Sequence, residues 1–206
     1  STPAWRLLAT LALGGGSAGA LVAYVYQSTL PTIQGYADAK TAGAVREVLG
    51  GPARVDTLYL VGDKLSRTPP AGVEPRQVTK AFVGLDAAGA RIGVAVEAAA
   101  PGFADDIRLL AGFNPATRAL TGFALIGQKE TPGLGDKIET KKGDWILRFT
   151  GLSIGNPPVD KWKVKKDGGQ FDQFAGATIT PRGVVRAVRE GLEFFASNKT
   201  QMMDFN

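Results

Sequence analysis

From Leu7 to Tyr26 the chain carries no charged residue. A helix advances about 1.5 Å per residue, so this run is long enough to cross a hydrocarbon core of about 30 Å. Trp5 stands at one end and Tyr24 and Tyr26 at the other, where interfacial aromatics belong. A secretory signal would use Leu7–Leu13 as its apolar region and Ser17-Ala18-Gly19-Ala20 as its cleavage site. The apolar run continues past that site through Leu21, Val22 and Val25, which favours a retained anchor. Arg6 precedes the span and Asp38 is the first charge after it. The positive-inside bias then puts the short N-terminus in the cytoplasm and the large remainder outside, across a cell inner (plasma) membrane. The small residues Gly14, Gly15, Gly16 and Ser17 suit close approach to another membrane helix, and a plain Gly-rich anchor gives the same pattern.

Composition narrows the chemistry of the remainder. A chain of 206 residues with 44% hydrophobic content, 27 Gly and 12 Pro is a folded, turn-rich protein with one core of ordinary size. It has no cysteine and no histidine. That removes disulfides, Cys-ligated clusters, His-ligated haem, the usual zinc sites and nucleophile–His pairs. Redox chemistry here would need an organic cofactor, and no metal site is expected. The net charge of +5 is spread out. Its densest run, Lys161-Trp162-Lys163-Val164-Lys165-Lys166, alternates with a period of two and predicts a half-buried strand with a solvated lysine face. No nucleic-acid motif accompanies it, so a nucleic-acid partner is not expected.

The chain order predicts an anchor over 1–30 and a second domain over 31–206. Residues Gln27–Tyr36 read as a linker, followed by an amphipathic helix from Ala37 to Leu49 that Gly50-Gly51-Pro52 stops. Arg54–Val61 reads as a strand and Gly62 to Pro75 as a polar loop. Strand-like runs follow at Thr79–Leu85, Arg91–Ala98, Ile107–Phe113 and Leu120–Gly127, separated by turn residues such as Asn114-Pro115. This is an antiparallel meander with helices before and after it, an α+β fold behind one transmembrane helix.

Two loops carry the candidate chemistry. In Asp172-Gln173-Phe174-Ala175-Gly176-Ala177-Thr178-Ile179-Thr180-Pro181, small residues lead to a hydroxyl and then to a helix start. Thr180 is a good N-cap and Pro181 suits the first helical position. A helix N-terminus presents unpaired N–H groups and partial positive charge, so Thr178 points its hydroxyl where a phosphate could sit. The second loop is Gln128-Lys129-Glu130-Thr131-Pro132-Gly133-Leu134-Gly135-Asp136-Lys137. Its glycines, Gly133 among them, let backbone amides approach a ligand, Thr131 offers a hydroxyl, and Leu134 could cover a flat ring. The acids of Pro101-Gly102-Phe103-Ala104-Asp105-Asp106 read as solvated loop carboxylates rather than an acid–base pair.

Glu130-Thr131-Pro132-Gly133-Leu134-Gly135 followed by Gly176-Ala177-Thr178-Ile179-Thr180, behind one membrane span, resembles the FMN-binding domain of the G subunits of Rnf electron-transport complexes. The C subunits of sodium-translocating NADH:quinone reductases are close relatives of that family. The resemblance covers nearly the whole chain. It implies FMN bound covalently, its phosphate esterified to Thr178 by a dedicated flavin transferase, with Asp172 at the motif acid. It also implies that Thr131 and Leu134 line the isoalloxazine, with Gly133, Gly176, Ala177 and Thr180 around the cofactor. The family usually has a hydroxyl where this chain has Ala175.

Such a protein relays electrons and is no catalyst by itself. It has no diffusible substrate of its own, no catalytic acid, base or nucleophile, and other membrane subunits as partners. The Gln27–Tyr36 linker would let the domain swing between donor and acceptor. The short chain favours the Rnf type over the quinone-reductase type. Other readings are a membrane-anchored binding or scaffold protein without a redox cofactor and a self-sufficient flavin reductase, for which the Gly-x-Gly-x-x-Gly nicotinamide fingerprint is missing.

Overall fold

A computed structural model describes residues 3–62, 64–73 and 78–204. Helix α1 runs without interruption over Ala4–Val48 with Pro31 inside it. The linker expected at Gln27–Tyr36, and the swing built on it, are therefore corrected: these residues are helical. A single internal proline removes one hydrogen bond, and the helix-forming residues on both sides carry the helix through it. Within the first compact unit, residues 1–41, Trp5, Leu8, Leu11, Leu13, Val22 and Tyr24 are exposed. α1 is long and apolar enough to cross a membrane.

The second unit, residues 42–206, is built on a six-stranded sheet. Its strands are β1 (Arg54–Val61), β2 (Lys64–Ser66), β3 (Lys80–Leu85), β4 (Arg91–Pro101), β5 (Asp106–Phe113) and β6 (Leu120–Gly127). The order is β2-β1-β3-β4-β5-β6, and every pairing is antiparallel. The expected meander is present. β2 falls inside the segment expected to be a loop from Gly62 to Pro75, and Pro75 itself lies outside the described residues.

Alternation divides the sheet into two faces, as the period of two requires. Ala81 and Val83 of β3, Val94, Val96 and Ala98 of β4, and Leu109, Ala111 and Phe113 of β5 belong to the main core. Helix α2 (Ile179–Asp204) covers that face with Val184, Val185, Val188, Leu192 and Phe195. Phe113 and Phe195 stack there with centroids 4.5 Å apart. The opposite face buries Phe82, Ala95 and Leu110 against Val45 and Leu49 of the last turn of α1 and the residue after it. At Gly112 a Cβ would lie 2.4 Å from Val48 Cγ1, so the sheet needs glycine there to admit that turn.

Residues 128–178 contain only short 3-10 turns, yet they are fixed by a second set of aromatics. Phe149 packs on Phe171 at 4.6 Å, on Trp145 at 5.4 Å and on Trp162 at 6.3 Å. The Trp162 indole donates to the Pro157 carbonyl at 3.1 Å. The strand expected at Lys161–Lys166 is not formed. Trp162 and Val164 are buried while the lysines stay exposed, but 3-10 turns at Val159–Lys161 and Lys165–Asp167 produce that alternation. A period of two over six residues does not distinguish a strand from such paired turns.

Candidate functional site

The site forms where the end of β6 meets the start of α2. β6 ends at Gly127, and the chain turns through Glu130 and the Thr131–Gly135 loop. Gly133 sits at the apex with φ 77°, a left-handed conformation that favours glycine, and its N–H donates to Asp136 Oδ1 at 2.8 Å. Asp136 is buried and also accepts from Lys142. That ammonium and the Gly133 N–H hold the Asp136 carboxyl below its ordinary value of 3.8.

On the facing side, the Gly176 turn (φ 77°) leads into Thr178 and α2. The Arg182 N–H reaches the Thr178 carbonyl at 3.3 Å, so Thr178 occupies the cap position. The helix thus starts before Thr180, and the N-cap role expected of Thr180 is corrected. Thr180 is buried in the first turn and gives its hydroxyl to Glu130 Oε2. Pro181 still sits within the first turn, where its missing N–H leaves no intrahelical bond unmade.

These two loops enclose an open cleft of about 170 Å³ lined by Thr131, Leu134, Gly176, Ala177, Thr178 and Thr180, together with Phe103, Glu130, Gly135 and Ile179. Six of the seven residues expected around the cofactor line it. Gly133 is the exception; its N–H is taken up by Asp136. Ala175 is exposed on the turn beside it. Among the described residues, the hydroxyls of Thr131 and Thr178 have no hydrogen-bond partner, and the first N–H groups of α2 have no intrahelical acceptor. Exposed Leu134, Phe103 and Ile179 frame the mouth. This donor set fits a phosphate at the helix start and a flat apolar ring beside it. Ligand pockets commonly hold roughly 300–1,000 Å³, so a nucleotide-sized ligand in this smaller, open cleft would remain partly in solvent.

Glu130 received no role from the sequence, and it holds the cleft together. Only 5% of it is exposed. Its Oε1 accepts the N–H groups of Phe103 (2.9 Å) and Ala104 (3.1 Å), and its Oε2 accepts the Thr180 hydroxyl. Two glycines admit this carboxylate. A Cβ on Gly102 would lie 2.5 Å from Oε1, and one on Gly135 would lie 2.8 Å from Oε2. No pattern of spacing announces such a residue. The usable signal was a lone acid between the end of an apolar strand and a Thr-Pro-Gly turn.

Asp172 lies at the surface instead. It pairs with Lys165 at 2.6 Å and with Arg148, while the Trp145 indole donates to its backbone carbonyl at 2.9 Å. Lys165, and then Arg148, hold its carboxyl below the ordinary 3.8. Asp105 pairs with Lys129 at 2.6 Å, in keeping with a solvated loop acid.

The FMN-binding domain model matches residues 102–193, the stretch that contains both loops. The G subunit of the ion-translocating oxidoreductase complex of Pseudomonas aeruginosa (strain UCBPP-PA14) is 39% identical, over 89% of this chain and 88% of that protein. The G subunit of the same complex from Shewanella oneidensis is 35% identical, over 88% of this chain and 84% of that protein. Among solved structures, Shewanella oneidensis NqrC superposes with a TM-score of 0.55 at 20% identity, covering 77% of this chain and 88% of that one. The C subunit of the Na(+)-translocating NADH-quinone reductase of Parabacteroides distasonis gives 0.50 at 16% identity, over 70% and 77%. At these identities the solved structures show a shared fold alone.

Proposed function

The chain belongs to the family of the G subunits of ion-translocating oxidoreductase complexes, and from that premise we propose that it is an electron relay with FMN esterified to Thr178. The observation that supports this most is the single cleft joining Thr131 and Leu134 to Gly176, Ala177 and Thr178 at the start of α2. Bound FMN supplies one- and two-electron exchange. The chain's own part is to bind, orient and hold. Thr178 presents its hydroxyl at the positive end of the helix, where the phosphate charge is favoured. Gly176 and Ala177 leave room beside it, and Leu134 and Thr131 face the ring.

In this reading residues 1–30 anchor the protein in the inner membrane with the N-terminus cytoplasmic, and residues 31–206 lie outside. A flavin transferase joins FMN to Thr178, and the other membrane subunits of the complex give and take electrons. No side chain works as acid, base or nucleophile on a diffusible substrate. A covalent tether suits a flavin displayed where lost FMN could not be replaced. Identity of 39% to a G subunit over most of both chains favours that complex over the related quinone reductase.

Denaturing electrophoresis tests the proposal. Protein made in cells that contain the transferase should give a fluorescent band, and Thr178→Ala should abolish it. A dark wild-type band would leave a non-redox anchor or scaffold as the better reading. Fluorescence retained in Thr178→Ala would move the attachment elsewhere.

A further inference from the structure

We propose that Glu130 is a positioning residue that both shapes the cleft and lowers the reduction potential of the flavin held there; the second half rests on the functional reading above. Its two oxygens, carried on the loop after β6, tie that loop to two segments far away in sequence, so three segments are joined at this side chain. They are the Gly102–Ala104 turn after β4, the loop after β6, and the first turn of α2. The close approach of Gly102 and Gly135 locks the same carboxylate from two further sides. Phe103, Gly135 and Thr180 all line the cleft, so the wall is assembled on this one side chain.

All three donors to its oxygens are neutral, two backbone N–H groups and one hydroxyl. Among the described residues no lysine or arginine pairs with it. A buried carboxylate held by dipoles keeps its charge close to whatever occupies the cleft, with little water to screen it. An electron arriving on a flavin there adds negative charge beside a fixed negative charge. The oxidised form is therefore favoured relative to the same cleft with a neutral residue.

Glutamine separates shape from charge. Its Oε1 can keep the Phe103 and Ala104 N–H groups, and its amide can donate to Thr180 Oγ1, which turns from donor to acceptor. The full chain in detergent, with its flavin, is titrated spectroelectrochemically as wild type and as Glu130→Gln. The potential is read from the Glu130→Gln protein that carries flavin. Its reduced-to-oxidised ratio at a given applied potential should rise at least tenfold, equal to about 30 mV for a two-electron couple. An unchanged or lowered potential overturns the electrostatic half, and failure of Glu130→Gln to load flavin overturns the claim that it preserves the shape.

Amide hydrogen exchange tests the positioning half without any cofactor, in a Thr178→Ala background. The Phe103 and Ala104 amides should be protected in the parent and in Glu130→Gln, and should exchange at least tenfold faster in Glu130→Ala. Equal exchange in Glu130→Ala overturns that half. A wild-type protein that carries no flavin would sink the functional reading, while the exchange result would still decide the role of Glu130 in the fold.

Discussion

Glu130 in one motif loop and Asp172 in the other are acids held in opposite ways. Glu130 is buried and surrounded by two backbone N–H groups and one hydroxyl. Asp172 is half exposed and held by two cations, Lys165 and Arg148. Buried charge has no water to fall back on, so every donor around Glu130 must be in place before the cleft can form. Asp172 can trade either cation for water or for another protein's donor at small cost. The first acid therefore builds the site, and the second is available for contact with something outside it.

The largest expected effect comes from Glu130→Ala. It leaves the buried Thr180 hydroxyl without its acceptor, which costs on the order of 1–3 kcal/mol, and unties the exposed Phe103–Ala104 turn from the loop after β6. Thermal unfolding of the full chain in detergent should drop by many degrees, and an unchanged midpoint would erase the contrast between the two acids. Gly135→Ala should follow. Its new Cβ would stand 2.6 Å from Thr180 Oγ1 and 2.8 Å from Glu130 Oε2, an overpacking that costs roughly 1–3 kcal/mol. Combining it with Thr180→Ala should cost less than the sum of the two singles, because the clash and the hydroxyl vanish together.

Asp172→Asn should have the smallest effect. The carboxyl titrates below its ordinary 3.8 in the folded chain. Its pairing therefore contributes at neutral pH and is lost only as pH falls through that lowered value. Wild type and Asp172→Asn should melt within a few degrees of each other at pH 7, and the variant should lose less stability below about pH 4. Parallel acid limbs would show that the two cations contribute nothing to folding.

Much of the fold could be read from the sequence because its signals are local. Val94, Val96, Leu109, Ala111 and Phe113 alternate, and turn residues such as Asn114-Pro115 separate the runs. The same holds for the cleft, since Thr131, Leu134, Gly176 and Thr178 sit in two short loops with distinctive punctuation. What escaped is non-local. Glu130 matters through Phe103, Ala104 and Thr180, partners 26 to 50 residues away, and no spacing rule connects them. The Lys161–Lys166 alternation misled because stacked Trp162, Phe149 and Phe171 bury alternate residues of a turn as readily as a sheet does. Residues 27–36 misled through Pro31, a helix breaker that the surrounding helix absorbs.

The order of the strands, β2-β1-β3-β4-β5-β6, has a consequence in time. Nearly every strand pairs with one made just before or just after it, so the sheet can assemble as its segments leave the ribosome. Helix α2 is made after all of them, and until it docks the apolar face of β4 and β5 lies bare. Thr178 stands at the threshold of that last helix. The hydroxyl reaches its place in the cleft only when that helix docks, so under the proposed function attachment of FMN would follow completion of the fold.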